Sequence, residues 1–296
     1  MKLLLLVLLL LVAVPVNAQQ PDYSKVQIKA TKVAGNVYML EGAGGNIGVS
    51  VGADGILIVD DQFAPLAEKI RASLQTLNPG KLRFILNTHF HGDHTGANAV
   101  LGPEATIIAH DNVRKRLSTE QYSKVFKQTT PASPKEALPV ITFNQSLTVH
   151  FNGEEIRAIH FPQGHTDGDS VIFFTTSNVV HLGDDFFSGR FPFVDIDGGG
   201  SVEGLTKNIA ELIGKIPADA KLIPGHGPIS TLDDLKQYHR MLVETTDIVR
   251  KKIAAKKSLE EIKKEGLPAE WNSWGTGFIK TDLWIELIHR SLTAKS

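Results

Sequence analysis

Seven consecutive residues, Thr88-His89-Phe90-His91-Gly92-Asp93-His94, contain three imidazoles and one carboxylate. Side chains of this kind crowded so closely waste polar groups unless a divalent cation supplies compensating charge. Histidine nitrogen and aspartate oxygen are donors that zinc favours. The spacing also says how the backbone must run. Residues i and i+2 point the same way in an extended segment but not on a helix. The motif therefore reads as a strand end or loop, not as a helical His-x-x-x-His site.

The flanking residues agree. Leu82-Arg83-Phe84-Ile85-Leu86 is a short apolar strand candidate running into the motif, Gly92 lets the backbone turn, and Thr95–Leu101 can start a helix. Ligands at the carboxyl end of a buried strand, followed by a helix, are where open α/β sheets place their sites. Three further ligand candidates stand in equivalent positions. His165 follows Ile156–Phe161, Asp184 follows Val179–Leu182, and His226 follows Lys221–Ile223. Each is bracketed by Gly or Pro, which break the element and allow close backbone approach. Four strand ends thus offer His89, His91, Asp93, His94, His165, Asp184 and His226. These exceed one tetrahedral shell; two ions roughly 3.5–4 Å apart, bridged by Asp184 and a water, would use them all.

In this order, His-x-His-x-Asp-His, Gly-His-Thr, Gly-Asp and Gly-His-Gly resemble the metallo-β-lactamase-fold hydrolase superfamily, from about Asn36 to His226, with Ile58-Val59-Asp60 similar to its first motif. The resemblance implies an α/β fold, a four-layer αββα sandwich in a single domain, with the metals at the edge between the halves. It implies that His89, His91 and His165 hold a first ion, that Asp93, His94 and His226 hold a second, and that Asp184 bridges them. Two Zn2+ ions are the expected cofactors, with iron or manganese as other occupants. A bridging aspartate resembles glyoxalase-II-like hydrolases, whereas the His-His-His plus Asp-His-His set without cysteine resembles one β-lactamase subclass.

Other residues receive plainer readings. Asp60 is expected to orient a ligand or to end a strand. His110, His150, His160, His181, His239 and His289 read as structural or surface histidines, and Asp167, Asp169 and Asp185 as turn or rim residues. After Asp184, Phe186, Phe187, Arg190, Phe191 and Phe193 read either as an apolar substrate wall with a cation for a carboxylate, or as core. Trp271 and Trp274 read as anchors for the C-terminal helix.

The N-terminus reads as an export signal over residues 1–18. Met1-Lys2 is a positive start, Leu3–Val14 an apolar stretch short of an ordinary span, and Val16-Asn17-Ala18 a small-residue cleavage site. The fold is then expected to occupy residues 19–296, in a secreted or periplasmic protein with no membrane association after cleavage. The chain has no cysteine, so neither disulfides nor a thiolate ligand is available. Its net charge is −1, with 31 basic and 32 acidic residues, which offers no nucleic-acid surface. A small molecule is the expected partner, and no oligomeric state is implied.

Patterning predicts strands at Val26–Thr31, Val37–Leu40, Ile47–Val51 and Ile56–Val59. It predicts an amphipathic helix over Phe63–Leu77 and, after the motif, a strand at Thr106–Ala109 and a helix at Asn112–Leu117. Gln121–Leu138 reads as a mobile loop. Further strands run through Val180–Leu182, with helices at Val202–Ile213, Leu232–Lys257 and Thr281–Thr293.

The expected chemistry is attack by a metal-bound hydroxide on an amide, lactam, ester or thioester, with Asp93 orienting the nucleophile or taking its proton. With no cysteine and no Gly-x-Ser-x-Gly elbow expected, no side-chain nucleophile competes. Two alternatives stay open. Persulfide dioxygenases share this fold and use one iron, on the equivalents of His89, His165 and Asp184. A non-catalytic metal-binding protein is the other.

Overall fold

The run Ile56-Leu57-Ile58-Val59 is apolar at every position because both of its faces are covered. Ile56 and Ile58 join one core with helix residues Leu66, Ile70 and Leu74. Leu57 and Val59 join another with Ile156, Ile172 and Phe174, from a different sheet. This alternation places a helix, a sheet, a second sheet and further helices in successive layers. The structure, a computed structural model, describes residues 22–294. The expected signal segment, residues 1–18, lies outside the described residues, none of whose helices is long and apolar enough to cross a membrane.

The first sheet opens as an antiparallel meander of β1 (Lys29–Ala34), β2 (Val37–Glu41), β3 (Ile47–Gly52) and β4 (Gly55–Val59). Helix α1 (Ala67–Leu77) then leads to β5 (Leu82–Leu86), parallel to β4. The single-turn helices α2 (Gly92–Thr95) and α3 (Asn98–Leu101) follow, then β6 (Thr106–His110) and α4 (Asp111–Leu117). A hairpin of β7 (Gln121–Ser123) and β8 (Gln128–Thr130) precedes β9 (Ile141–Phe143), which completes a seven-stranded sheet in the order β1-β2-β3-β4-β5-β6-β9.

The second sheet has five strands in chain order: β10 (Ser146–Phe151), β11 (Glu154–His160), β12 (Ser170–Phe174), β13 (Val179–His181) and β14 (Lys221–Ile223). Helix α5 (Val202–Lys215) joins the last two, and α6 (Leu232–Ala254), α7 (Leu259–Glu265) and α8 (Thr281–Thr293) complete the chain. The largest core packs Val171, Val180 and Leu182 under Leu205, Ile209, Tyr238, Leu242, Trp284 and Ile288 of these helices. The result is the four-layer αββα arrangement.

Several expected elements differ in detail. The Phe63 helix begins with a separate turn at Ala64–Leu66, where Pro65 sits in a first turn and lacks the N–H that a longer helix would need. The Thr95–Leu101 helix is two single turns, and the first of them already contains Asp93 and His94. The first strand starts at Lys29 rather than Val26.

The largest difference concerns Gln121–Leu138. Its polar composition hides a hairpin whose strands, Gln121-Tyr122-Ser123 and Gln128-Thr129-Thr130, pair in register. The hairpin is also tied down. Asp197 accepts from the Lys124 backbone N–H at 2.8 Å and pairs with Lys124 Nζ at 3.2 Å. Arg290 of α8 reaches the same carboxylate at 3.1 Å. The expected absence of a serine elbow needs a correction too. Gly48-Val49-Ser50-Val51-Gly52 matches the string, but it lies within β3, and buried Ser50 accepts from Asn152 Nδ2 at 3.2 Å. A serine in mid-strand lacks the strand–turn–helix geometry of an elbow.

Candidate metal centre

All seven predicted ligands converge. His89, His91, His165 and Asp184 each offer one ligand atom, all within 4.8 Å of one another, and Asp93, His94 and His226 do the same in a second group. Each follows the carboxyl end of β5, β11, β13 or β14. Backbone bonds hold these ends together: Ser170 N donates to Thr88 O at 2.9 Å, and Asn46 N donates to Gly225 O at 2.8 Å. Asn46 Nδ2 adds bonds to Pro224 O at 2.9 Å and Gly227 O at 2.8 Å, which fixes the His226 loop.

Two glycines are required by close approach. A Cβ on Gly45 would lie 2.1 Å from the His94 ring, and one on Gly225 would lie 2.0 Å from Asp184 Oδ1.

The outer ring nitrogens reveal what the inner ones must do. His165 Nδ1 lies 2.7 Å from the Phe193 carbonyl, which can only accept, so Nδ1 carries the proton and Nε2 the lone pair. His91 Nε2 lies 2.9 Å from the Asp195 carboxylate, which leaves Nδ1 with its lone pair. His89 Nδ1 donates to Thr88 Oγ1 at 3.0 Å, because that hydroxyl spends its own proton on Asp60 at 2.8 Å. His94 Nδ1 donates to Asp60 Oδ2 at 2.7 Å.

Four imidazoles therefore turn their remaining nitrogens inward. Two of these lone pairs, on His165 Nε2 and His91 Nδ1, face each other at 2.8 Å. A proton would relieve the conflict, but burial disfavours one, pushing His89 well below and His165 below its usual value. His89 Nε2 is buried without a hydrogen-bond partner, and His94 Nε2 and Asp184 Oδ1, 3.1 Å apart, have only each other. Buried polar atoms left this way need an explanation, and a metal cation coordinated by them provides it. The donor set fits zinc.

Asp184 lies between the groups. Its Oδ2 is 3.5 Å from His165 Nε2 and 3.9 Å from His89 Nε2, while its Oδ1 is 3.1 Å from His94 Nε2 and 3.4 Å from His226 Nε2. In the metal-free protein, burial works against the Asp184 carboxylate, yet His94 and His226 outweigh it and hold its carboxyl well below the usual range. Asp93 behaves alike: burial opposes ionisation, His94 and His226 prevail, and its pKa falls to about 2.

Asp60 occupies a left-handed backbone conformation, φ 67°, uncommon outside glycine. There it accepts from Thr88 N, Thr88 Oγ1 and His94 Nδ1 at once, which orients two ligands.

Of the expected rim, only part lies at the surface of the site. Phe186 and Phe191 are core residues, 0% and 1% exposed; Phe191 stacks on Trp284 with centroids 5.7 Å apart, and Phe186 packs on Tyr238. Phe187, itself buried, stacks on His226 at 4.9 Å. Arg190 is half-buried beside Gly277. Trp271 and Trp274 belong to the main core.

Asp185 and Asp169 are not rim residues either. Both are buried beneath the His165 loop, where Asp185 accepts from His165 N at 3.2 Å and Asp169 from Thr166 N at 2.8 Å. Burial, reinforced by Asp169, pushes the Asp185 carboxyl well up. None of the other histidines joins the cluster. His110 stacks on His160 at 3.7 Å and caps α4 by accepting from Asn112 N. His181 bonds Asn46 O at 3.0 Å.

Sequence reasoning missed Asp195, the Phe193 carbonyl and the Thr88 hydroxyl, the groups that set the ring tautomers. Asp195 follows no motif; its nearest signal is the Gly198-Gly199-Gly200 turn, whose Gly198 N it caps at 2.8 Å. Asp195→Asn is expected to weaken metal affinity by about 10–100-fold, the usual range for losing a ligand's partner, with little change in melting temperature of the metal-free protein. Competition with a fluorescent chelator measures this; unchanged affinity would deny Asp195 a part in orienting His91.

The metallo-β-lactamase superfamily model matches residues 30–226. The chain is 27% identical over 141 residues to 2,4-dinitroanisole O-demethylase subunit alpha from Nocardioides sp. (strain JS1661), across 47% of this chain and 40% of that protein. It is 22% identical over 267 residues to Metallo-beta-lactamase type 2 from Bacteroides fragilis, across 83% of this chain and 99% of that protein. The sec-alkylsulfatase from Pseudomonas sp. shares the fold, with TM-score 0.70 at 14% identity over 91% of this chain and 51% of its own, so this chain spans about half of its length. The family match across both halves of the sandwich, together with the converging ligand candidates, makes the chain a member of the metallo-β-lactamase superfamily.

Proposed function

We propose that this is an exported hydrolase with two zinc ions, His89, His91 and His165 around one, Asp93, His94 and His226 around the other, and Asp184 between them. Its substrate is a small molecule with an amide, lactam, ester or thioester bond. The observation that carries the reading is the division of Asp184, each oxygen turned to a different pair of imidazoles. When bound, two such ions lower the pKa of a water towards neutrality and polarise a carbonyl oxygen.

The chain's own residues do the rest. Asp93, His226 and His91 keep 30%, 23% and 18% of their side chains exposed, so the substrate approaches from their side. His89, His94, His165 and Asp184 stay buried. Asp93, an ionised carboxylate that stays partly open to solvent, is a good hydrogen-bond acceptor. Its part is to orient the proton of the attacking group. Phe187 covers one face of His226 and keeps water from it.

The Bacteroides fragilis relative bears the name of a β-lactamase, which supports including β-lactams in a substrate panel with esters, lactones and thioesters. Chelation is expected to abolish turnover and zinc to restore it, with about two divalent ions per chain by elemental analysis, as the number of ligands requires. Full activity after chelation would refute the reading. One iron and no zinc would favour the dioxygenase alternative. Export rests on the residue 1–18 pattern; N-terminal sequencing of protein from the culture fluid or periplasm is expected to begin near Gln19, and an intact Met1 there would refute cleavage.

A further inference from the structure

Tyr122, Phe126 and Phe278 are the large aromatic residues that stand in solvent among the described residues, 53%, 38% and 75% exposed. Two of them continue a line of rings that starts at the metal centre. The half-buried Phe193 ring lies 5.8 Å from the His91 ring and 5.8 Å from the His165 ring. Phe126, at the turn of the β7–β8 hairpin, lies 5.1 Å from Phe193, and Phe278 lies 5.5 Å from Phe126. Isolated exposed rings are ordinary, whereas contiguous ones that lead to a polar site mark a binding surface.

The rings are held before anything binds. Asp197 fixes the hairpin through Lys124 and ties it to Arg290 of α8, and Arg116 Nη1 holds Gln121 Oε1 at 3.1 Å. On the other side, Phe191 N donates to Trp274 O at 3.0 Å, which anchors the segment leading to Phe278. Rigid rings bind at low conformational cost. Lys124 in the hairpin turn is paired with Asp197, and the three rings themselves present apolar surface.

We propose that Phe193, Phe126 and Phe278 form a subsite for an aromatic or long alkyl group of the substrate, directed outward from a scissile bond at the metal centre. This rests on the dinuclear hydrolase reading and narrows its substrate class to molecules with a bulky apolar part next to the reacting carbonyl. The occupant is the substrate, because the line of rings begins at His91, whose side chain stays partly open on the same side as Asp93 and His226.

The test uses zinc-loaded, signal-cleaved protein and two hydroxamates, which share a metal-seeking head. Calorimetry compares acetohydroxamate with 2-naphthohydroxamate. The naphthyl compound is expected to bind at least about tenfold tighter, the gain from burying roughly one ring system. Phe126→Ala and Phe278→Ala, both at exposed positions, are each expected to cut that ratio about threefold or more with zinc content unchanged. Equal affinities in the wild type, or a ratio that survives both substitutions, would overturn the subsite while leaving the hydrolase reading intact. Failure to take up zinc or to bind acetohydroxamate would overturn both. Dimers in sedimentation that Phe278→Ala dissociates would assign the rings to a second copy instead and overturn the proposal.

Discussion

Asp184→Asn is expected to leave the protein with one divalent ion or fewer and to lower turnover by more than about a hundredfold, beyond the loss typical of a residue that only orients a ligand. The carboxylate presents Oδ2 to His89 and His165 and Oδ1 to His94 and His226. An amide keeps the shape but loses the negative charge and turns an NH2 towards one group of imidazoles whose lone pairs it cannot replace. His181→Asn is the control. His181 is just as buried and sits three residues away, but its nitrogens serve Asn46 O and Gly183 N. It is expected to lose stability through two buried hydrogen bonds, about 1–3 kcal/mol, and to keep its metal. Elemental analysis of both variants decides the matter. Equal metal content would remove Asp184 from between the ions.

The candidate ligands were legible because each announces itself within a few residues: a donor, a Gly or Pro close by, and an apolar strand before it. The layers were legible for a similar reason. Ile56-Leu57-Ile58-Val59 and Leu82–Leu86 are apolar throughout, the mark of strands with both faces covered. What escaped depends on contacts far apart in the chain. Asp195 meets His91 across 104 residues, and nothing near Asp195 hints at it. The β7–β8 hairpin is polar, so its composition reads as loop; its order comes from Asp197, more than seventy residues on. Phe186 and Phe191 read equally as substrate wall or as core, because the direction of each ring depends on how the loop lies against α6 and α8. Phe126 and Phe278, which do stand beside the site, sit in segments where no periodicity marks a face.

Metal uptake is expected to fall steeply with acidification, by about tenfold per pH unit for each proton the metal displaces. In the metal-free protein, burial opposes an imidazolium at His226, but the carboxylates of Asp184 and Asp93 outweigh it and raise its pKa to about 9. At His94 burial is likewise outweighed, by Asp184, Asp93 and Asp60, and the pKa stands well above the usual value. Both rings are therefore protonated at neutral pH, and both must lose that proton to coordinate. His89 and His165, whose pKa values burial depresses, are already neutral, and Asp93 and Asp184 are already ionised. Loading at pH 7 should thus release protons from both rings, and affinity should fall as the pH drops from 8 to 6. Calorimetric titration of zinc into metal-free protein, in buffers of different ionisation enthalpy, counts those protons directly. The same groups set the opposite trend for the metal-free fold. A raised imidazole pKa adds stability that is complete below the unfolded value of about 6.5 and is lost as pH rises through about 9. Metal-free protein should consequently melt lower at pH 9.5 than at pH 6.5, and zinc-loaded protein, in which metal has taken the place of those protons, should not. Zinc uptake without proton release would mean that the second group of ligands, His94 and His226 with Asp93, takes no part in holding metal.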